Sequence, residues 1–139
     1  MTTAYVNALI FTGERMLTDH AVITAGGTIK AIVPAAEVGA EVTRVNLEGG
    51  FMSPAFIDLQ IYGGNGEIFS LYPSVAALTA TYAYSRAGGV AWFMPTVATH
   101  SPAIMLRAMQ AVRDYWQSGG KGVLGLHLEG PFISPAKRG

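Results

Sequence analysis

Gly88-Gly89-Val90-Ala91-Trp92-Phe93-Met94-Pro95-Thr96 is the stretch that decides the fold. A glycine pair opens it, an apolar run follows, and Pro95-Thr96 closes it. A short, near-continuous apolar run between such breakers reads as a strand buried on both faces. Upstream, Val75, Leu78 and Tyr82 are spaced to share one helical face. That helix starts near Pro73-Ser74 and stops at the glycine pair. Downstream, Ser101-Pro102 places an N-cap residue before a first-turn proline. Met105, Ala108, Met109, Val112 and Trp116 then form a stripe at helical spacing, ended by Gly119-Gly120. Strand-like runs flank the pair of helices at Phe56–Ile61 and Val123–Leu128. Strand, helix, strand, helix, strand predicts an α/β fold with a parallel sheet.

Residues 1–52 have a different texture. Short β-branched runs lie at 8–11, 21–24, 29–33 and 42–48, each bounded by Gly or Pro. Gly26-Gly27 between two of them predicts a hairpin turn. This region is expected to be a small antiparallel β unit.

The chain has 139 residues, half of them hydrophobic and 13% charged, so it can bury a real core. Nine Lys and Arg balance nine Asp and Glu, and no polybasic run occurs. A nucleic-acid groove or an anionic membrane partner would need a basic excess, so neither is expected. The absence of cysteine excludes disulfides, thiolate zinc sites and a cysteine nucleophile. The start, Met1-Thr2-Thr3-Ala4, lacks the basic region of a signal peptide. No apolar stretch reaches the ~18 residues of a membrane span. A cytoplasmic location is the expectation.

The segment richest in chemistry is His127-Leu128-Glu129-Gly130-Pro131-Phe132. A glutamate at the C-terminal end of a parallel strand sits where barrel active sites are built. Its carboxylate suits Zn²⁺ or another divalent ion, although a strand-end Glu in a solvated loop reads the same way. His127, two residues earlier, is either support for a ligand or a satisfied core histidine. On the first strand of the parallel sheet, Asp58, Gln60 and Tyr62 alternate and share one face. They either line a mouth or form the wet face of an edge strand. Gly63-Gly64-Asn65-Gly66 lacks the Gly-Lys-Ser/Thr of a phosphate loop and reads as a tight turn. His20 and His100 are isolated. Trp92, Phe93, Tyr115 and Trp116 read as core.

In order, these segments resemble the N-acetylglucosamine-6-phosphate deacetylase branch of the amidohydrolase superfamily. The resemblance rests on Ser53-Pro54-Ala55-Phe56-Ile57-Asp58, on Gly88-Gly89 and Met94-Pro95-Thr96 around the second strand, and on Gly125-Leu126-His127-Leu128-Glu129-Gly130-Pro131-Phe132. Most amidohydrolases follow the first strand with His-x-His; this branch often lacks it, and here the places hold Gln60 and Tyr62. The family often has Asn where this chain has Tyr62.

The resemblance implies an N-terminal part of a small β-sandwich domain at 1–52. Residues 53–139 would then be the first βαβαβ portion of a TIM-type (β/α)8 barrel. It implies Glu129 as the carboxylate ligand of one divalent metal ion, Zn or Fe, with Gln60 and His127 adjacent to the metal. No catalytic residue is expected within the chain. The general acid/base aspartate, two further histidine ligands and another histidine are expected after Gly139. The implied reaction is hydrolysis of the acetamide of N-acetylglucosamine 6-phosphate to glucosamine 6-phosphate and acetate, in amino-sugar catabolism. A homo-oligomer, a dimer, is the expected assembly of the parent. Two rivals remain. One is another amidohydrolase, dihydroorotase-like or deaminase-like, against which the missing His-x-His counts. The other is a non-catalytic fragment or binding module, since three strands cannot cover their own apolar faces and a barrel needs about eight.

Overall fold

Gly26 and Gly27 both adopt positive φ, +59° and +76°, and turn the chain tightly between two strands of the first unit. The computed structural model describes residues 1–137. The chain divides into two units, Met1–Pro54 and Ala55–Gly139.

In the first unit, β1 (Thr2–Phe11) pairs antiparallel with β2 (Met16–Leu17) and β3 (His20–Ala25), and β3 pairs antiparallel with β4 (Thr28–Pro34). The wholly antiparallel expectation fails at β5 (Thr43–Met52), which runs parallel to β1 from Thr3↔Thr43 to Ile10↔Met52. The cause is the crossover. A 3-10 turn at Ala35–Glu37 and the segment 38–42 carry the chain back to the start of β1. Val38 is buried with Ala4 and Ala21, which anchors that crossover to the sheet.

The second unit holds β6 (Phe56–Ile61), β7 (Gly63–Gly64), β8 (Glu67–Ile68), α1 (Val75–Ala87), β9 (Val90–Val97), α2 (Pro102–Gln117) and β10 (His127–Leu128). β9 lies between β6 and β10, and both pairings are parallel, as the alternation of strands and helices predicts. The glycine-rich loop is a small hairpin, β7–β8, turned by Asn65 and Gly66 at positive φ. Ser74 caps α1, accepting the Ala77 N–H at 3.1 Å. The core gathers Phe69 and Leu78 with Phe93 and Val97 of β9, and Met105, Ala108, Val112 and Tyr115 of α2.

Three expectations are corrected here. The buried face of α2 is Met105, Ala108, Ala111, Val112 and Tyr115, while Met109 and Trp116 stand partly in solvent. Steps of three and four residues fit either stripe. The choice falls to Tyr115, whose ring packs inside with its hydroxyl on the Lys121 carbonyl at 2.8 Å. Trp116 stays at the boundary and donates its indole N–H to the Val123 carbonyl at 3.0 Å. Trp92 is also exposed, so only Phe93 and Tyr115 of the expected aromatic core are buried. Second, Ser101 makes no side-chain cap; instead its own N–H goes to His100 Nδ1 at 2.8 Å. Third, the strand expected at 123–128 contracts to His127–Leu128 plus a separate bridge, Phe93↔Val123. Among the described residues its only ladder partner is β9, and Gly125 offers no side chain to pack. No helix is long and apolar enough to cross a membrane among the described residues.

Candidate functional site

β6 and β10 flank β9, so their C-terminal ends lie on either side of the end of β9. The β6–β9 register shifts between Asp58 and Ile61. Within that irregularity the Asp58 carboxylate accepts the backbone N–H of Gln60 at 2.9 Å. Asp58 therefore braces the strand, while the next two alternating residues, Gln60 and Tyr62, reach across to Glu129.

Both carboxylate oxygens of Glu129 are engaged. Gln60 Nε2 donates to Oε1 at 3.0 Å, and the Tyr62 hydroxyl donates to Oε2 at 2.7 Å. Gln60 Nε2 also donates to the Tyr62 oxygen at 3.0 Å. The hydrogen bond to Glu129 raises the Tyr62 pKa above the ordinary tyrosine value, and desolvation adds to it. The backbone of Glu129 is clamped from the end of β9. Its N–H donates to the Val97 carbonyl at 2.9 Å, and its own carbonyl accepts the Thr99 hydroxyl at 2.6 Å. His127 is half-buried rather than core. Its Nδ1 lies 2.9 Å from the Leu59 carbonyl on β6. A carbonyl can only accept, so Nδ1 carries the proton, and in the neutral ring Nε2 keeps a lone pair.

The structure thus brings three of the sequence-derived candidates, Gln60, Tyr62 and Glu129, into one hydrogen-bonded group, with His127 on the same strand end. Asp58 lies on β6 with Gln60 but holds backbone instead. His100 accepts the Ser101 N–H just ahead of α2, and His20, in the first unit, faces the Thr18 carbonyl at 2.6 Å. Thr99 was not singled out from sequence. Its only signal is a hydroxyl placed just after a parallel strand. Beside the group, an open cavity of about 750 Å³ is lined by residues including Gln60, Tyr62, Asn65, Glu67 and Tyr84.

As a metal site this is partial. No cluster of three or more His, Cys, Asp or Glu side chains gathers among the described residues. Glu129 offers one hard anionic donor with outer support, whereas a catalytic zinc takes about three protein ligands.

Residues 4–52 match the model of the NagA composite domain. Over all 139 residues the chain is 34% identical to the N-acetylglucosamine-6-phosphate deacetylase of Haemophilus influenzae, covering 36% of that protein. The crystal structure of N-acetylglucosamine-6-phosphate deacetylase from Pasteurella multocida superposes with a TM-score of 0.91 at 32% identity, covering 100% of this chain and 37% of that one. Over its whole length the chain is similar to N-acetylglucosamine-6-phosphate deacetylases. It is also 33% identical over 127 residues to the N-acetylgalactosamine-6-phosphate deacetylase of Shewanella sp. strain ANA-3, covering 88% of this chain and 32% of that protein. The chain therefore spans about a third of the length of the relatives it matches. The Gln60–Tyr62–Glu129 group stands at the ends of the first and third strands of the parallel sheet.

Proposed function

We propose that the protein of which this chain forms part hydrolyses the acetamide of N-acetylglucosamine 6-phosphate, releasing glucosamine 6-phosphate and acetate. The observation that carries this reading is the carboxylate of Glu129, held at the strand ends by Gln60 and Tyr62 in a chain similar to these deacetylases over its whole length. Its single divalent metal ion, Zn or Fe, would take Glu129 as one ligand, with the remaining ligands outside residues 1–139. When bound, such an ion lowers the pKa of a coordinated water and polarises a carbonyl oxygen.

The roles of this chain's own residues follow from their contacts. Glu129 binds. Gln60 and Tyr62 orient its two oxygens. Thr99 and the Val97 carbonyl fix its backbone, and His127 ties β10 to β6 through Leu59. The proton transfers belong to an aspartate elsewhere in the protein, so residues 1–139 alone are inactive. The second unit supplies the opening βαβαβ of a TIM-type barrel, whose further strands would cover the free edges of β6 and β10. The protein works in the cytoplasm.

The Shewanella relative supports a second reading, in which the substrate is N-acetylgalactosamine 6-phosphate. The two sugars differ at one ring hydroxyl, and no residue of the Glu129 group distinguishes them. The test is Glu129→Ala in the full-length protein, assayed for metal content and for deacetylation of both sugar phosphates. Metal and activity are expected to fall together. Full metal content with unchanged turnover contradicts the reading.

A further inference from the structure

We propose that Tyr62 is a positioning residue for metal binding, fixing the Glu129 carboxylate so that its free lone pairs face the ion. The proposal rests on the reading of Glu129 as a ligand. A carboxylate has about four acceptor sites on its two oxygens. Tyr62 takes one on Oε2 and Gln60 takes one on Oε1, which leaves about two for a metal. Donors and metal therefore do not compete for the same lone pairs.

The hydrogen bonds also have one direction. The Gln60 amide donates to the Tyr62 oxygen and to Glu129, and the Tyr62 hydroxyl donates to Glu129. Donors in such a chain polarise one another. Gln60 is itself fixed, since its backbone N–H is held by Asp58. A glutamate on an exposed strand end otherwise samples several rotamers and would lose that freedom on coordination. Here Tyr62, just after β6, removes it beforehand across 67 residues of sequence. A hydroxyl at residue 62 is required for the contact, and the aromatic ring alone does not provide it.

The experiment is a Zn²⁺ titration of the metal-free full-length protein against a chromophoric chelator. It compares wild type, Tyr62→Phe, Glu129→Gln and the double variant. Tyr62→Phe keeps the ring and removes one oxygen from a partly exposed side chain. It is expected to weaken Zn²⁺ binding roughly 10- to 100-fold, the range for losing an outer partner of a metal ligand. The unfolding midpoint of the metal-free protein should fall only slightly, since the lost hydrogen bond is solvent-exposed. In the Glu129→Gln background the same substitution should weaken binding far less, because the partner through which Tyr62 acts is gone. Wild-type affinity in Tyr62→Phe overturns the proposal, and so does an equal loss in both backgrounds, which marks a general structural role. Wild-type affinity in Glu129→Gln sinks the reading of Glu129 as a ligand, and the positioning role falls with it.

Discussion

The Tyr62 hydroxyl donates to Glu129 Oε2 over 2.7 Å, joining the loop after the first strand of the parallel sheet to the end of the third. The contact spans the central strand β9, so it forms only when all three strands are in register. Correct folding of the second unit and assembly of the site are thus one event.

The raised pKa of Tyr62 gives the contact a pH signature. The phenol keeps its proton to a higher pH when folded than when unfolded. Its contribution is therefore complete below the ordinary tyrosine value of about 10 and is lost as pH rises through the folded value. In a tyrosinate absorbance titration, the difference between wild type and Tyr62→Phe should place Tyr62 above the ordinary value. A Tyr62 that ionises at or below that value contradicts the bond.

Gly130 is expected to resist substitution. Its φ is +122°, and a Cβ there would stand 2.5 Å from the Thr99 hydroxyl that holds the Glu129 carbonyl. Gly130→Ala should cost about 1–3 kcal/mol through backbone strain and should displace Thr99. Denaturant unfolding of the full-length protein measures the first effect. Zn²⁺ titration should show a weaker site as the second.

Phe93 is fully buried at the centre of β9 and of the second unit's core. Phe93→Ala should destabilise by about 3–5 kcal/mol, measured by denaturant midpoint. Trp92, its neighbour on the opposite face, is about half exposed, so Trp92→Ala should cost much less in the same assay.

Residues 1–139 expressed alone should associate. Ile57 and Leu59 on β6 are 57% and 59% exposed, and β6 and β10 are both edges of the parallel sheet. Unpaired strand edges flanked by apolar side chains are templates for another chain. Light scattering should report oligomers or aggregates. A cooperative monomer that deacetylates the sugar phosphate would contradict both the open-edge reading and the missing ligands.

Much of this was legible in the sequence, for local reasons. Ser74 and Gly88-Gly89 bracket α1, Gly26-Gly27 turns the hairpin, and the apolar run through Phe93 is the central strand, buried on the Phe93 face but half exposed at Trp92. Glu129 and Gln60 were readable because alternation and strand-end position place them without knowledge of distant partners. The rest depends on contacts between remote segments. The parallel pairing of β5 follows from how Val38 packs under the crossover. The buried face of α2 is chosen by Tyr115 over Trp116, two aromatic neighbours that periodicity does not separate. Thr99 acquires a role only through the carbonyl of a residue 30 positions away.

The central claim is that Glu129, presented by Gln60 and Tyr62, is a metal ligand. The most direct measurement is anomalous X-ray scattering from crystals of the full-length protein loaded with Zn²⁺. The expected result is a zinc peak about 2.0–2.2 Å from a Glu129 carboxylate oxygen, with Tyr62 and Gln60 still donating to that carboxylate. A zinc ion bound elsewhere, with Glu129 held by Tyr62 and Gln60 alone, would contradict the account.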